Sequence, residues 1–270
     1  MNEIIKNYEL LVKKYKEIEK ESTEQEIHDR RVTLRRIFPI LTVYKINISR
    51  LKNGEKAFKL FGKLRDIQVQ LSKLENQDQT PEMIEYIAFL KEKEQKIQVK
   101  VHKFSKKKKL EFPSLKKKSK IETSKIVQKA DKAFAKLVER IELRSIDDAE
   151  DIHKIRIKFK KFRYVIEILS YITPIEDEKL ERLKVYQDKL GDIQDYEVLI
   201  QGITNFHKTN KPDEEANTEI LEKEQNNLIE QFDAELDTFI GVCKDVISKN
   251  AEVVRTVDES IIENNFIDKI

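Results

Sequence analysis

The sequence predicts an all-α protein, and three observations predict it. The 270 residues include only 5 Gly and 5 Pro, where average usage is roughly 7% Gly and about 5% Pro, so tight turns are scarce and long helices are favoured. Apolar residues recur three and four apart along most of the chain, and no stretch sustains the two-residue alternation of a half-buried strand. Helix start signals are legible at several points and divide the chain into about eight long helices. With 38% charged residues and no Trp, the composition argues against sandwiches, barrels and Gly-looped nucleotide folds.

The first segment, 2–21, alternates charge with apolar residues and has no continuous apolar run, so it reads as neither a signal peptide nor a membrane span. The second, 24–50, opens on Thr23 with Glu26 three residues on, the capping-box pattern. Its apolar positions are Ile27, Leu34, Ile37, Phe38 and Leu41. Pro39 should kink this helix rather than end it, because the periodicity continues to Ile46 and Ile48. Asn53-Gly54 breaks the chain before 54–76. Thr80, Pro81 and Glu82 supply an N-cap, a first-position proline and a first-turn acid for 81–104.

Residues 103–120 hold nine Lys and one Glu with Pro113 and several Ser, which reads as a mobile basic loop. Ser119 with Glu122 repeats the capping box ahead of 120–143. Breaks at Ser145 to Asp148, at Pro174 and at Asn210 to Pro212 bound the last three segments, 147–172, 177–208 and 213–249.

The chain also repeats itself. His28, Arg31, Val32, Arg35 and Arg36 align with His153, Arg156, Ile157, Lys160 and Lys161 at an offset of 125. Gly62, Asp66 and Val69 align with Gly191, Asp195 and Val198 at an offset of 129. The economical reading is two four-helix bundles related by internal pseudo-twofold duplication. One domain spans 1–270, with an N-terminal half at about 1–104, a basic linker at about 105–118 and a C-terminal half at about 119–270. Gly62 and Gly191 read as points of close helix approach, since no Gly-rich loop surrounds either.

Formal net charge is only +3, but it is unevenly spread. Residues 213–270 hold 16 acids and 5 bases, net −11, which leaves +14 on residues 1–212. Attraction of a polyanion follows that local field rather than the total. A single cysteine, Cys243, forms neither an internal disulfide nor a Cys-based metal cluster and suits a reducing compartment, so a cytoplasmic protein is expected. Cys243 lies in an apolar helical run with Phe239 and Val246 and reads as a packed thiol. His102 and His207 match no motif and read as helix-end or surface residues.

Chemistry concentrates on one helix face. With His28 at zero and about 100° per residue, Arg31 and Arg35 fall at roughly −60° and −20°. In the second copy His153, Arg156, Lys160, Arg163 and Tyr164 fall at about 0°, −60°, −20°, −80° and +20°. Ile152, Ile155, Phe159, Phe162 and Ile166 face another way and make the core side. One basic face is ordinarily solvated surface, yet two faces with the same order of His, Arg and paired bases point to an anion. A row of forked guanidinium donors and compact ammonium charges matches a chain of phosphates.

The stretches HDRRVTLRR from His28, FGKLRDIQV from Phe61, IHKIRIKFKKFRYVIEIL from Ile152 and YQDKLGDIQDYEVL from Tyr186 resemble the CHAD family, the conserved-histidine α-helical domain. The motifs stand in the family's order, and the resemblance covers essentially the whole chain. It implies two four-helix bundles and a basic groove that binds inorganic polyphosphate. The implied binding residues are His28, Arg31, Arg35 and Arg36, then His153, Arg156, Lys160, Lys161 and Arg163, with Arg65 from the Leu-Arg-Asp motif. Tyr164 joins them from the helical wheel. The second copy departs from the first at Gln194, the counterpart of Arg65.

Beside phosphates, an imidazole serves either as a cation or as a neutral donor. The motif histidines stand in no standard metal-ligand pattern, so no metal and no cofactor are expected. Asp66 and Asp195 read as groups that pair with bases or cap the groove. Glu92, Glu94 and Lys96 spell the signature of the CYTH tunnel enzymes, but they lie in a helical segment rather than the strand that chemistry requires. The stripes offer no metal-holding acid pair or positioned nucleophile, so no catalysis is expected.

The expected partners are inorganic polyphosphate, polyphosphate granules and polyphosphate-metabolising enzymes, and no membrane. Binding of an RNA or DNA backbone is the alternative, weakened by the single aromatic on the stripes. A pure protein scaffold is the third class.

Overall fold

A computed structural model describes residues 3–18, 23–77, 79–115, 122–144 and 149–247. Its helices are α1 (Glu3–Glu17), α2 (Glu24–Val43), α3 (Gly54–Glu75), α4 (Pro81–Lys107), α5 (Thr123–Glu142), α6 (Ala149–Leu169), α7 (Asp177–Asn210) and α8 (Glu219–Ala234). A 3-10 turn, Ile48–Arg50, precedes α3, and residues 236–247 are again helical. The chain is all-α: among the described residues extended pairing amounts to one isolated bridge, Lys52 with Glu111. No described helix is long and apolar enough to cross a membrane.

Helix starts follow the local chemistry. Thr23 and Glu26 close the full capping box, with Thr23 Oγ1 accepting from the Glu26 N–H at 3.3 Å and Glu26 Oε2 accepting from the Thr23 N–H at 2.9 Å. Thr80 caps α4 through the Met83 N–H, with Pro81 at the first helical position. Each such cap contributes about 1 kcal/mol. Asn53 takes a left-handed φ of 64° to start α3. Ser119 lies outside the described residues, and α5 begins at Thr123 with Glu122 as its N-cap, so Glu122 does not serve as the third helical residue of a box.

Two helix ends differ from expectation. α2 runs through Pro39 but stops at Val43 rather than near 50. Lys45 is left-handed, at φ 55°, and the Ile46 N–H donates to Leu41 O at 2.8 Å while the Lys45 N–H donates to Thr42 O at 3.0 Å. That is a Schellman stop, normally marked by Gly or Asn at the left-handed position. A lysine there left no signal, and Ile46 and Ile48 carried the periodicity past the true end. The last expected segment, 213–249, opens without helix until Glu219 and is interrupted at 235.

The basic segment after α4 was expected to be mobile, and its first part is instead packed. Pro113 O accepts from the Tyr8 hydroxyl at 2.7 Å, Phe112 meets Tyr15 edge-on at 5.3 Å, and Leu115 is buried. Composition weighted the lysines, whereas these few apolar residues do the anchoring. Residues 116–121 lie outside the described set.

The chain separates into two units, and they are not contiguous in sequence. Described residues of 5–117 and 195–226 make one, and those of 2–4, 118–194 and 227–270 the other. The expected division near 104 and 119 therefore differs from the observed one, because the later part of α7 packs with the first unit. There Tyr196 accepts from Gln77 Nε2 at 3.1 Å, and Phe206 lies 5.6 Å from Tyr86 and 4.9 Å from Phe89.

In the first unit α2 packs on α3 and α3 on α4, burying Leu34, Ile37, Leu41, Phe61, Leu64 and Leu90. In the second α5 packs on α6, and Phe159, Phe232 and Phe239 are fully buried, with Phe159 and Phe239 rings 4.8 Å apart. Each such side chain stabilises its unit by about 1.5–3 kcal/mol on burial.

Candidate functional site

The basic stripes ride on α2 of the first unit and α6 of the second. His28 is the fifth residue of α2, and His153 the fifth of α6. On both helices the opposite side is core: Ile27, Leu34, Ile37 and Leu41 on α2, and Ile152, Ile155, Phe159, Phe162 and Ile166 on α6, are all buried. Core packing thus fixes which way each stripe faces.

On α2 the stripe is partly neutralised from α3. The Arg31 guanidinium lies 3.9 Å from Asp66 Oδ1 and 5.5 Å from the centre of the Phe58 ring. A methyl group at Gly62 would contact Arg31 Nε at 3.5 Å, so Gly62 gives room to a guanidinium rather than to a helix backbone. Gly191 has nothing within 4 Å of that position, and the expected close helix approach is absent there. Arg65 donates to Glu24 at 2.9 Å. His28 is exposed and Arg35 half-buried, and neither is bonded or ion-paired to another side chain among the described residues. Arg36 is exposed on the same helix.

On α6 the acids sit at the start. Asp151 pairs with Arg140, and Lys154 pairs with Glu150 at 2.7 Å and with Asp151 at 3.2 Å. Acids in a first turn also suit the helix dipole. Beyond that turn, Arg156 has no hydrogen-bond or ion-pair partner among the described residues, and its Nε is buried. Lys160 and Tyr164 are half-buried on the same helix.

Two polar partners come from α7. His153 Nδ1 is bonded to Gln194 Oε1, and Arg163 donates to Gln187 Oε1. Neither glutamine is among the residues the sequence pattern assigns to the stripes. The available signal was the repeat itself, which sets Gln194 opposite Arg65.

Lys161 stands apart from the other α6 bases. At about +80° from His153 on the wheel, it joins Lys158 and the α5 residues Lys129, Lys132 and Lys136 around a cleft of about 250 Å³ that no acid lines among the described residues. The remaining histidines also separate. His102 is half-buried on α4. His207, expected at a helix end or surface, is near the end of α7 but buried at 2% exposure. Cys243 is fully buried, and burial pushes its thiol well above the ordinary range. Glu92 and Lys96 form an ion pair on the face of helix α4. Among the described residues no group of three or more His, Cys, Asp or Glu could hold a metal ion.

A family model described as "CHAD domain" matches residues 5–203. No curated protein matches the chain. Among solved structures, the crystal structure of the CHAD domain from the plant Ricinus communis superposes with a TM-score of 0.55 at 14% identity, covering 90% of this chain and 89% of that one. At that identity the likeness speaks to the fold.

Proposed function

The chain belongs to the CHAD domain family, and from that premise we propose that it binds inorganic polyphosphate on the basic faces of α2 and α6 without catalysing a reaction on it. The observation that carries this reading is the unspent charge on those faces. Arg156 keeps a buried Nε without a partner, and Arg35 and His28 lack side-chain partners among the described residues. Arg31 and Arg65 face Asp66 and Glu24 as well. A buried guanidinium edge left unbonded costs about 1–3 kcal/mol or more unless a ligand satisfies it. Phosphate oxygens satisfy it with forked, charge-assisted bonds.

In this reading the protein works in the cytoplasm beside polyphosphate granules or the enzymes that make and degrade the polymer. Its role there is to hold the chain of phosphates, since the stripes offer bases and amide donors but no nucleophile set beside an acid.

The test is a competition titration of labelled long-chain polyphosphate against unlabelled polyphosphate, single-stranded RNA and duplex DNA at two salt concentrations. Polyphosphate should compete far better per phosphate and persist at higher salt. Equal competition by RNA or DNA, with all binding collapsing together as salt rises, would assign the stripes to nucleic-acid backbones instead. Replacing Arg35, Arg156 and Lys160 by Ala should weaken binding about tenfold or more with helicity retained. Lys161→Ala, on the α5-facing side, should cost less than Arg156→Ala.

A further inference from the structure

A half-enclosed pocket of about 270 Å³ opens in the first unit where α1, α2, α4 and the segment after α4 meet. It is not part of the α2 stripe: Arg30, which lines it, stands about 200° from His28 on the wheel. Arg30 is only 5% exposed and is anchored by donating from Nη2 to the Ile18 carbonyl at 3.2 Å. Ser105, also 5% exposed, lines the same pocket, and its Oγ is buried with no hydrogen-bond partner. Lys108 and Lys109 stand at the pocket wall, and among the described residues no carboxylate lines it. The remaining wall is aromatic, built by Tyr15 and Phe112 packed edge to face.

Each feature restricts the occupant. A buried hydroxyl without a partner is costly, and a bound acceptor removes that cost. One guanidinium with several ammonium groups suits a dianion better than a monoanion. Aromatic walls beside the cations suit a flat apolar body. Ligand pockets for drug-sized molecules run from about 300 Å³ upward, so this one takes a small molecule rather than a stretch of polymer.

We propose that this pocket binds a small phosphate monoester, with its phosphate on Arg30, Ser105 Oγ and the Lys108–Lys109 ammonium groups and its flat body against Tyr15 and Phe112. The site is separate from the polyphosphate faces and does not depend on that assignment.

Calorimetric titration of the full chain with phenyl phosphate tests it, with inorganic phosphate, benzoate and tripolyphosphate as the comparison ligands. One site should appear, with phenyl phosphate bound at least tenfold tighter than inorganic phosphate or benzoate. Ser105→Ala should weaken it about tenfold and leave long-chain polyphosphate binding unchanged. Lys109→Gln, at an exposed position, provides a second variant whose folding is not in question and should weaken it severalfold. Phenyl phosphate binding no tighter than inorganic phosphate, or unaltered binding in both folded variants, would overturn the proposal. So would loss of phenyl phosphate binding in the Arg35, Arg156 and Lys160 triple variant, which would place the ligand on the stripes. Failure of polyphosphate to bind at all, with phenyl phosphate still bound, would sink the stripe reading alone.

Discussion

Nδ1 of His153 on α6 is hydrogen-bonded to the side-chain oxygen of Gln194, 41 residues further on in α7. With the amide oxygen accepting, Nδ1 donates to it, and Nε2 meets a phosphate oxygen as a donor only when the ring is the imidazolium. The glutamine therefore holds the rotation of a ring on the basic face of α6. Arg65, which the sequence aligns with Gln194, pairs with Glu24 instead, so the two histidines are supported differently.

Gln194→Ala should lower polyphosphate affinity severalfold while circular dichroism stays unchanged. His153→Ala should lower it by a similar amount, and the double variant should lose little more than either alone, because the two side chains act as one unit. Fully additive losses in fluorescence-anisotropy titrations would separate Gln194 from His153 and remove its positioning role.

Gly202 marks the seam that draws the later part of α7 into the first unit. A methyl group there would lie 2.3 Å from the Tyr86 hydroxyl oxygen and 3.0 Å from the ring carbon that bears it. Tyr86 has little freedom to retreat, since its hydroxyl donates to Gln70 Oε1 at 2.9 Å and its ring packs on Phe89 and Phe206. Gly202→Ala should therefore destabilise by about 1–3 kcal/mol, as overpacking does. In chemical denaturation, Tyr86→Phe should recover part of that loss in the double variant. A substitution at Gly202 that left the midpoint unmoved would mean that α7 tolerates a wider gap here than the geometry allows.

Tyr8 and Tyr15, both on α1, are buried, and burial pushes each phenol up to about 12, with the Arg30 charge opposing the rise at Tyr15. A folded value above the ordinary 10.0 means that the neutral phenols support the fold fully below pH 10, and that this support is lost as pH rises through about 12. In an alkaline titration followed by tyrosinate absorbance, these two of the eight tyrosines should ionise late and together with loss of helicity. Tyr15→Phe should shift that alkaline transition upward. Ionisation of all tyrosines in one step near pH 10, with the helices intact, would contradict the burial of α1 against Pro113 and Phe112.

Much of this molecule is written locally. The helix starts at Thr23 and Thr80, the break at Asn53-Gly54 and the basic rows on α2 and α6 each depend on residues within a few positions of one another. Capping, left-handed turns and a 3.6-residue period are physics of that range, and the sequence alone determined the all-α class and the two histidine-bearing faces. Where a local signal is lacking, as at the left-handed Lys45, the apolar periodicity overruns the end of α2.

What the tertiary structure decided is which charges remain available. Arg31 and Arg65 face Asp66 and Glu24, 35 and 41 residues away, Arg156 has no ion-pair partner among the described residues, and Lys161 turns to the α5 lysines. The same holds for the Gln194 support of His153, the seating of Tyr86 over Gly202, and the pocket around Arg30 and Ser105. Such pairings depend on which helix faces meet, and the sequence pattern of one helix carries no record of its neighbour's register.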